Sequence, residues 1–242
     1  MTVSVILPAA GLGTRMSRNA GAGRKQFMLL DGSPIFLRTV RRFAASSKVT
    51  EIVIAVPEDD VEWIQGIVAE ARIDKPVRVV RGGVTRQQSV ENALATVDPS
   101  TDLVAVHDAV RPFIDADVIE SVFAEAAETG AAIVGIVPVD TVKRVSQAQA
   151  GRAQIRTTLP REHLVLAQTP QVFRYDLLKR AFEHAREDNF AGTDESSLVE
   201  RLEEVVVSVV PGSDHNIKIT KPTDMELAEL YARRAEEAEE TA

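Results

Sequence analysis

"VSVILPAAGLGTRM", Val3 to Met16, is the stretch on which the fold turns. A mostly apolar run, Val3–Leu7, leads into a loop that holds Gly11, Gly13 and one cation, Arg15. Apolar runs without alternation are how strands of a parallel sheet read when both faces are covered. Glycines beyond the carboxyl end of such a strand let backbone N–H groups approach a phosphate. A dinucleotide fingerprint would need a third glycine or alanine where Met16 stands, and a helical run directly after it. Neither is present, and a phosphate loop of the GxxxxGKS or GxxxxGKT kind is missing as well. What remains is a long loop with free backbone donors and two cations ten residues apart, Arg15 and Lys25. Such cations neutralise charge that builds on a phosphorus centre.

Five more runs of the same kind follow: Ile52–Val56, Val77–Val80, Leu103–Val106, Ile133–Val137 and Val205–Val210. Between the first five strands lie apolar residues at helical spacing. The sets are Phe36, Val40, Phe43, Ala44; Val61, Ile64, Val68, Ala71; Val90, Ala93, Leu94, Val97; and Ile119, Val122, Phe123, Ala126. Ser33 before Pro34, Thr85 with Gln88, and Asp115 read as helix caps. Strand and helix alternate, which predicts a single α/β domain over 1–242 with a mostly parallel sheet and right-handed crossovers. After Val137 the rhythm breaks. Val142–Val145 and Ala153–Thr157 read as two strands around "SQAQAG", a β-hairpin arm at about 140–160. With nothing evident to pack on in its own subunit, the arm is expected to reach a second copy or to stand as a surface excursion. A helix from Asp224 onward ends the chain in an acidic tail.

The chain of 242 residues carries a net charge of −8, which argues against general nucleic-acid binding. Yet residues 1–48 hold eight basic side chains against one acid, so that segment is +7 and the remainder −15. A basic end on an acidic protein suits a small, highly charged anion. Arg38, Arg41 and Arg42 fit a solvated helix face instead. No cysteine is present, which excludes disulfides and thiolate metal sites. No apolar run is long enough for a membrane span, and no signal-peptide pattern opens the sequence, so a cytoplasmic address is expected. The four histidines, His107, His163, His184 and His215, are scattered and form no metal-ligand pair.

Ligands of open α/β sheets lie beyond the carboxyl ends of the strands. Three further polar loops fall there: "RGGVTRQQS", "HDAVRP" and "PVDTVKR". Taken with "PAAGLGTRM", "KQF", "TLPREHLVLAQTPQVF", "GTDE" and "NIKIT", in this order from Val5 to about Pro222, these motifs resemble the cytidylyltransferases of the Rossmann-like nucleotidyltransferase fold. The closest resemblance is to the family acting on 2-C-methyl-D-erythritol 4-phosphate in non-mevalonate isoprenoid synthesis. It implies transfer of CMP from CTP to that polyol phosphate, with Mg2+ or another divalent cation held mainly by the triphosphate. It also implies a homodimer exchanging its arms.

By the same resemblance Ala9, Ala10, Gly11 and Gly13 line the nucleotide pocket, Gly83 and Ser89 read the cytosine, and Pro8 and Ala109 bind substrate. Arg15, Lys25, Arg161 and Lys218 form the catalytic set, the first two stabilising the pentavalent α-phosphate. Asp108 takes a hydroxyl or a water on magnesium, with Arg111 beside it. Thr141, Arg161, Thr169, Thr193 and Lys218 bind the acceptor, Arg161 and Thr169 serving a neighbouring subunit's site. Thr193 also reads as an N-cap for a helix beginning at Asp194. The sequence departs from the family pattern at Arg24, where proline usually precedes "KQ", and at Val84, where a polar residue is usual. The glycine-rich "SRNAGAGR" reads as a flap that orders on nucleotide binding. Three alternatives stay open: an enzyme for ribitol 5-phosphate or another polyol phosphate, a non-catalytic CTP sensor, and a nicotinamide oxidoreductase with Glu51 as ribose acid.

Overall fold

The computed structural model describes residues 1–11, 25–146 and 153–240. Strand β1 (Val3–Pro8) is buried along nearly its whole length, as its mostly apolar run requires. Past a 3₁₀ turn at Lys25–Phe27, β2 (Leu29–Leu30) and β3 (Ser33–Pro34) form a small hairpin. Its turn is Asp31–Gly32, with φ of 51° and 70°, the left-handed pair that a two-residue hairpin needs. The stretch 25–32, expected to be loop, is therefore ordered by an Asp-Gly turn. Helix α1 (Ile35–Ala44) starts after Pro34 without a side-chain cap, so Ser33 is not its cap. Ser33 Oγ accepts from Arg41 Nη1 at 3.2 Å instead.

The expected alternation follows: β4 (Val49–Val56), α2 (Val61–Glu70), β5 (Val77–Arg81), α3 (Arg86–Leu94), β6 (Leu103–Val106), α4 (Ala116–Thr129) and β7 (Ala131–Ile136). Thr85 and Gln88 close a reciprocal capping box on α3, whereas Asp115 caps α4 by position alone. Then come β8 (Lys143–Val145) and β9 (Ile155–Thr158), paired antiparallel with every residue exposed. The chain ends in β10 (Leu166–Arg174), α5 (Tyr175–Glu187), α6 (Glu195–Glu200), β11 (Ser208–Pro211) and α7 (Pro222–Glu240).

Seven strands form the main sheet in the order β11-β7-β10-β6-β1-β4-β5. All neighbours are parallel except β10, which runs antiparallel between β6 and β7. From β1 the chain builds outward to β4 and β5, then crosses back to β6. Loops leaving β1 and its neighbours therefore diverge, and a crevice opens at their carboxyl ends. One face of the sheet is covered by Phe36, Val40 and Phe43 of α1, Ile64 of α2, and Ile119, Val122 and Phe123 of α4. The other is covered by Val90, Ala93 and Leu94 of α3, Leu177, Leu178 and Phe182 of α5, and Leu198 and Val199 of α6. A third apolar cluster ties Leu30 and Ile35 to Val110, Phe113, Ile219 and Met225. That cluster carries the C-terminal "NIKIT" segment to the crevice, with Ile219 N–H donating to Val110 O at 3.0 Å.

Candidate active site

Two glycines shape the first wall of the crevice. A Cβ on Gly82 would lie 2.6 Å from Ala10 Cβ, and one on Gly83 would lie 2.3 Å from Gln88 Cβ. Only bare backbone fits where the loop after β5 closes on both the β1 loop and α3. Ser89 Oγ accepts from Gly83 N–H at 3.0 Å and donates to Thr85 O at 2.8 Å, so its hydroxyl fixes the turn. On the β1 side, buried Gln26 donates from Nε2 to Ala9 O at 2.5 Å and Gly11 O at 3.2 Å. The resulting cavity, of about 230 Å³, is lined by Pro8, Ala9, Ala10 and Gly11 from β1, Gly83 to Arg86 and Ser89 from β5–α3, Asp108 to Val110 from the β6 turn, and Lys218.

Charge concentrates at the floor. Asp108 is buried, and Lys218 Nζ lies 2.8 Å from its Oδ2, Arg111 Nε 3.3 Å from Oδ2, and Arg86 Nε 3.4 Å from Oδ1. Burial alone would push this carboxyl up, but Lys218, Arg86 and Arg111 hold it well below the usual carboxylate range. Arg86 also donates from Nη1 to Glu195, at 2.7 and 2.9 Å from its two oxygens. Burial opposes the charge on Arg86, yet Glu195 and Asp108 keep its pKa above the ordinary guanidinium value.

Beneath Asp108 a neutral chain of hydrogen bonds fixes the turn. His107 is fully buried, its Nε2 lies 3.1 Å from Arg111 O and its Nδ1 3.1 Å from Thr169 Oγ1. A carbonyl can only accept, so Nε2 carries the proton, and Thr169 O–H donates to Nδ1. Thr169 Oγ1 in turn accepts from Asp108 N–H at 3.0 Å. Burial pulls the His107 pKa down to about 4, so the ring is neutral at pH 7.

Thr169 arrives through a break in β10. Its pairing with β7 shifts register between Ala167 and Gln171, which takes Gln168 and Thr169 out of the ladder and toward the site. Asn216 Nδ2 donates to Gln168 Oε1 at 3.0 Å and Thr169 O at 2.9 Å, and Asn216 O accepts from Arg111 Nη1 at 2.6 Å. A second cavity of about 200 Å³ lies here, lined by Arg86, Asp108, Arg111, Thr169, Thr193, Lys218 and neighbouring residues of β10 and α6. The two cavities share Arg86, Asp108 and Lys218.

The structure thus brings together Pro8, Ala9, Ala10, Gly11, Gly83, Ser89, Asp108, Ala109 and Lys218 around the first cavity, and Arg111, Thr169 and Thr193 around the second. Thr141 and Arg161 line neither cavity. Both are exposed beside the arm, where Arg161 Nη1 donates to Val139 O. Gly13, Arg15 and the glycine-rich stretch through Arg24 lie outside the described residues, and of Lys25 only the backbone is described. Two expectations are corrected. Thr169 is not offered to a neighbouring subunit, because its hydroxyl is buried under Asp108 of its own chain. Thr193 is not the cap of α6, since Asp194 is, through Oδ1 accepting from Ser197 N–H at 3.1 Å.

Sequence reasoning missed Arg86, Glu195 and Gln26. A cation as the first residue of α3 opposes the helix dipole, and an acidic residue in "GTDESSLVE" begins a half-apolar helix. The cation is the local oddity, and its distant partner Glu195 explains it.

A divalent cation fits this donor set in one way only. Among the described residues no group of three His, Cys, Asp or Glu could cage a metal. Among the described residues Asp108 Oδ1 has one contact, at 3.4 Å, and could take either a hydroxyl or a water of a magnesium held by phosphate oxygens.

An open, mostly parallel sheet whose switch-point crevice joins a backbone-lined cavity to a cationic one is the architecture of an α/β nucleotidyltransferase. A family model, IspD: 2-C-methyl-D-erythritol 4-phosphate cytidylyltransferase, matches residues 3–234. The chain belongs to this family and is a cytidylyltransferase. It is 65% identical over 237 residues to the 2-C-methyl-D-erythritol 4-phosphate cytidylyltransferase of Solibacter usitatus, covering 96% of each chain. Identity to the enzyme of the same name from Acidobacterium capsulatum is 51%, over 97% of this chain and 98% of that one. Among solved structures, the enzyme from Thermus thermophilus superposes with TM-score 0.75 at 33% identity, over 96% of this chain and all of that one. The 4-diphosphocytidyl-2C-methyl-D-erythritol synthase of Anaerococcus prevotii gives TM-score 0.83 at 28% identity, over 96% of both.

Proposed function

We propose that this chain transfers the cytidylyl group of CTP to the phosphate of 2-C-methyl-D-erythritol 4-phosphate, with CTP in the first cavity and the acceptor in the second. The observation that carries the reading is the shared boundary of Arg86, Asp108 and Lys218, which puts two anions edge to edge. An acceptor phosphate oxygen attacks the α-phosphorus, and the bond to the bridging oxygen breaks. Its electron pair leaves with pyrophosphate, giving 4-diphosphocytidyl-2-C-methyl-D-erythritol. The attacking oxygen is already ionised at neutral pH, so no general base is needed, and neutral His107 serves structure.

Lys218 and Arg111 offset the acceptor's charge while Asp108 Oδ1 takes one of its hydroxyls. The backbone of Ala9 to Gly11 and of Gly83 holds the nucleotide, and Arg15 and Lys25 stabilise the charge developing at the α-phosphate. Magnesium bound to the triphosphate would add Lewis-acid stabilisation of that same charge.

The exposed β8–β9 arm carries Val145 and Ile155, with Val139 exposed beside it, and we assign it to a second copy of the chain. Sedimentation at twice the 26.3 kDa chain mass is the expected result, and a monomer at working concentration would remove that assignment. Among the described residues no helix is long and apolar enough to cross a membrane. The cysteine-free composition suits the cytoplasm, which cell fractionation checks.

The deciding experiment follows pyrophosphate release from CTP and magnesium with methylerythritol 4-phosphate or ribitol 5-phosphate as acceptor, with EDTA and ATP as controls. Release with the first acceptor alone is expected. Release with ribitol 5-phosphate alone would replace the acceptor, and CTP binding without release would leave a sensor.

A further inference from the structure

Glu195 is 1% exposed and lines neither cavity, yet it takes the better part of Arg86. We infer that Glu195 is a positioning residue: it holds the Arg86 guanidinium back from Asp108, so that Asp108 keeps one oxygen for the acceptor. The inference rests on the acceptor reading of the second cavity.

The distances carry it. An arginine facing a single carboxylate takes it through two short hydrogen bonds. Arg86 instead turns Nη1 to both oxygens of Glu195, at 2.7 and 2.9 Å, and reaches Asp108 Oδ1 only through Nε at 3.4 Å. The other oxygen of Asp108 is already committed to Lys218 at 2.8 Å and Arg111 at 3.3 Å. Among the described residues Oδ1 is therefore the oxygen with capacity left, and Asp108 lines both cavities. Without the charge of Glu195, Asp108 is the nearest anion to Arg86. The guanidinium would close on it and occupy Oδ1. A buried carboxylate carries a desolvation cost that its own helix does not require, since Asp194 already caps α6. Restraining Arg86 gives that cost a purpose.

The test is a double-mutant cycle of Glu195→Gln, Arg86→Gln and the pair, with CTP saturating, the acceptor varied, and melting temperatures recorded. Glu195→Gln should raise the acceptor KM about tenfold, the scale of one lost charge-assisted hydrogen bond, with kcat within about threefold. In the Arg86→Gln background the added loss should vanish, because there is no guanidinium left to collapse. Losses that multiply in the pair would overturn the inference. So would an unchanged acceptor KM, or a fall confined to kcat. A purely structural role would lower the melting temperature without this dependence on Arg86. If Glu195→Gln does not fold, Glu195→Asp, which retracts the charge by one methylene, is read by the same background dependence. Wild-type turnover is measured alongside. Its absence refutes the function and the inference with it, whereas turnover with an unaffected Glu195→Gln refutes the inference alone.

Discussion

Acidification should strike this fold first at His107, through a linkage whose size the structure sets. An ordinary histidine titrates near 6.5, whereas burial lowers His107 to about 4. Between those values the unfolded chain binds a proton that the folded chain refuses, so stability rises with pH across the window and is lost as pH falls from 6.5 toward about 4. At about 1.4 kcal/mol per pH unit, the full window is worth about 3 kcal/mol. Protonation also reverses the local logic. Nδ1 would become a donor facing the Thr169 hydroxyl, which already accepts from Asp108 N–H and would have to give up donating to the ring. The acceptor cavity should loosen with the fold.

Urea denaturation of the wild type and of His107→Gln, followed by circular dichroism from about pH 7 to 4.5, isolates the effect, because other titrations largely cancel in the difference. Glutamine starts lower at pH 7, having lost the fitted ring, and the gap should narrow by about 2 kcal/mol or more at the acid end. A gap constant to within about 0.5 kcal/mol across the series would refute the reasoning.

Asp108→Asn leaves Arg86, Arg111 and Lys218 crowded without their central carboxylate; removing one partner of a buried pair costs about 3–5 kcal/mol, so a clear fall in melting temperature and a raised acceptor KM are expected. An unchanged melting temperature would show that the cluster is less buried in solution than its geometry says. Gly83→Ala puts a methyl 2.3 Å from Gln88 Cβ, and calorimetry should find CTP binding weakened by more than tenfold, roughly the loss of one well-placed donor. Wild-type affinity in that variant would mean that the loop shifts without touching the nucleotide.

How far the sequence reached depends on which contacts each element needs. β1, β4, β6 and β7 were legible because a strand covered on both faces writes a mostly apolar run, whatever its neighbours. The Thr85–Gln88 cap was legible because both partners lie within one turn. β10 was not read as a strand, although it holds the centre of the sheet between β6 and β7. Its run is interrupted by Gln168, Thr169, Pro170 and Gln171, and the first two of these leave the ladder to enter the site. A strand that supplies a site looks least like a strand. The motifs marked Asp108, Lys218 and Thr169 as site residues but misassigned Thr169 to a neighbouring subunit, because a side chain's direction is not written in its neighbours.

By itself, then, the sequence determined the alternating α/β plan, the glycine loops at the carboxyl edge and the family to which they belong, all of them carried by short-range pattern. Only the tertiary structure decided that Asp108 sits among three cations from three parts of the chain, that His107 is neutral, and that Glu195 holds Arg86. Arg86 and Glu195 are 109 positions apart, and Asp108 and Lys218 stand in different motifs. The energy of a charge depends on what burial removes and which counter-charge replaces it, and both are properties of the packed chain.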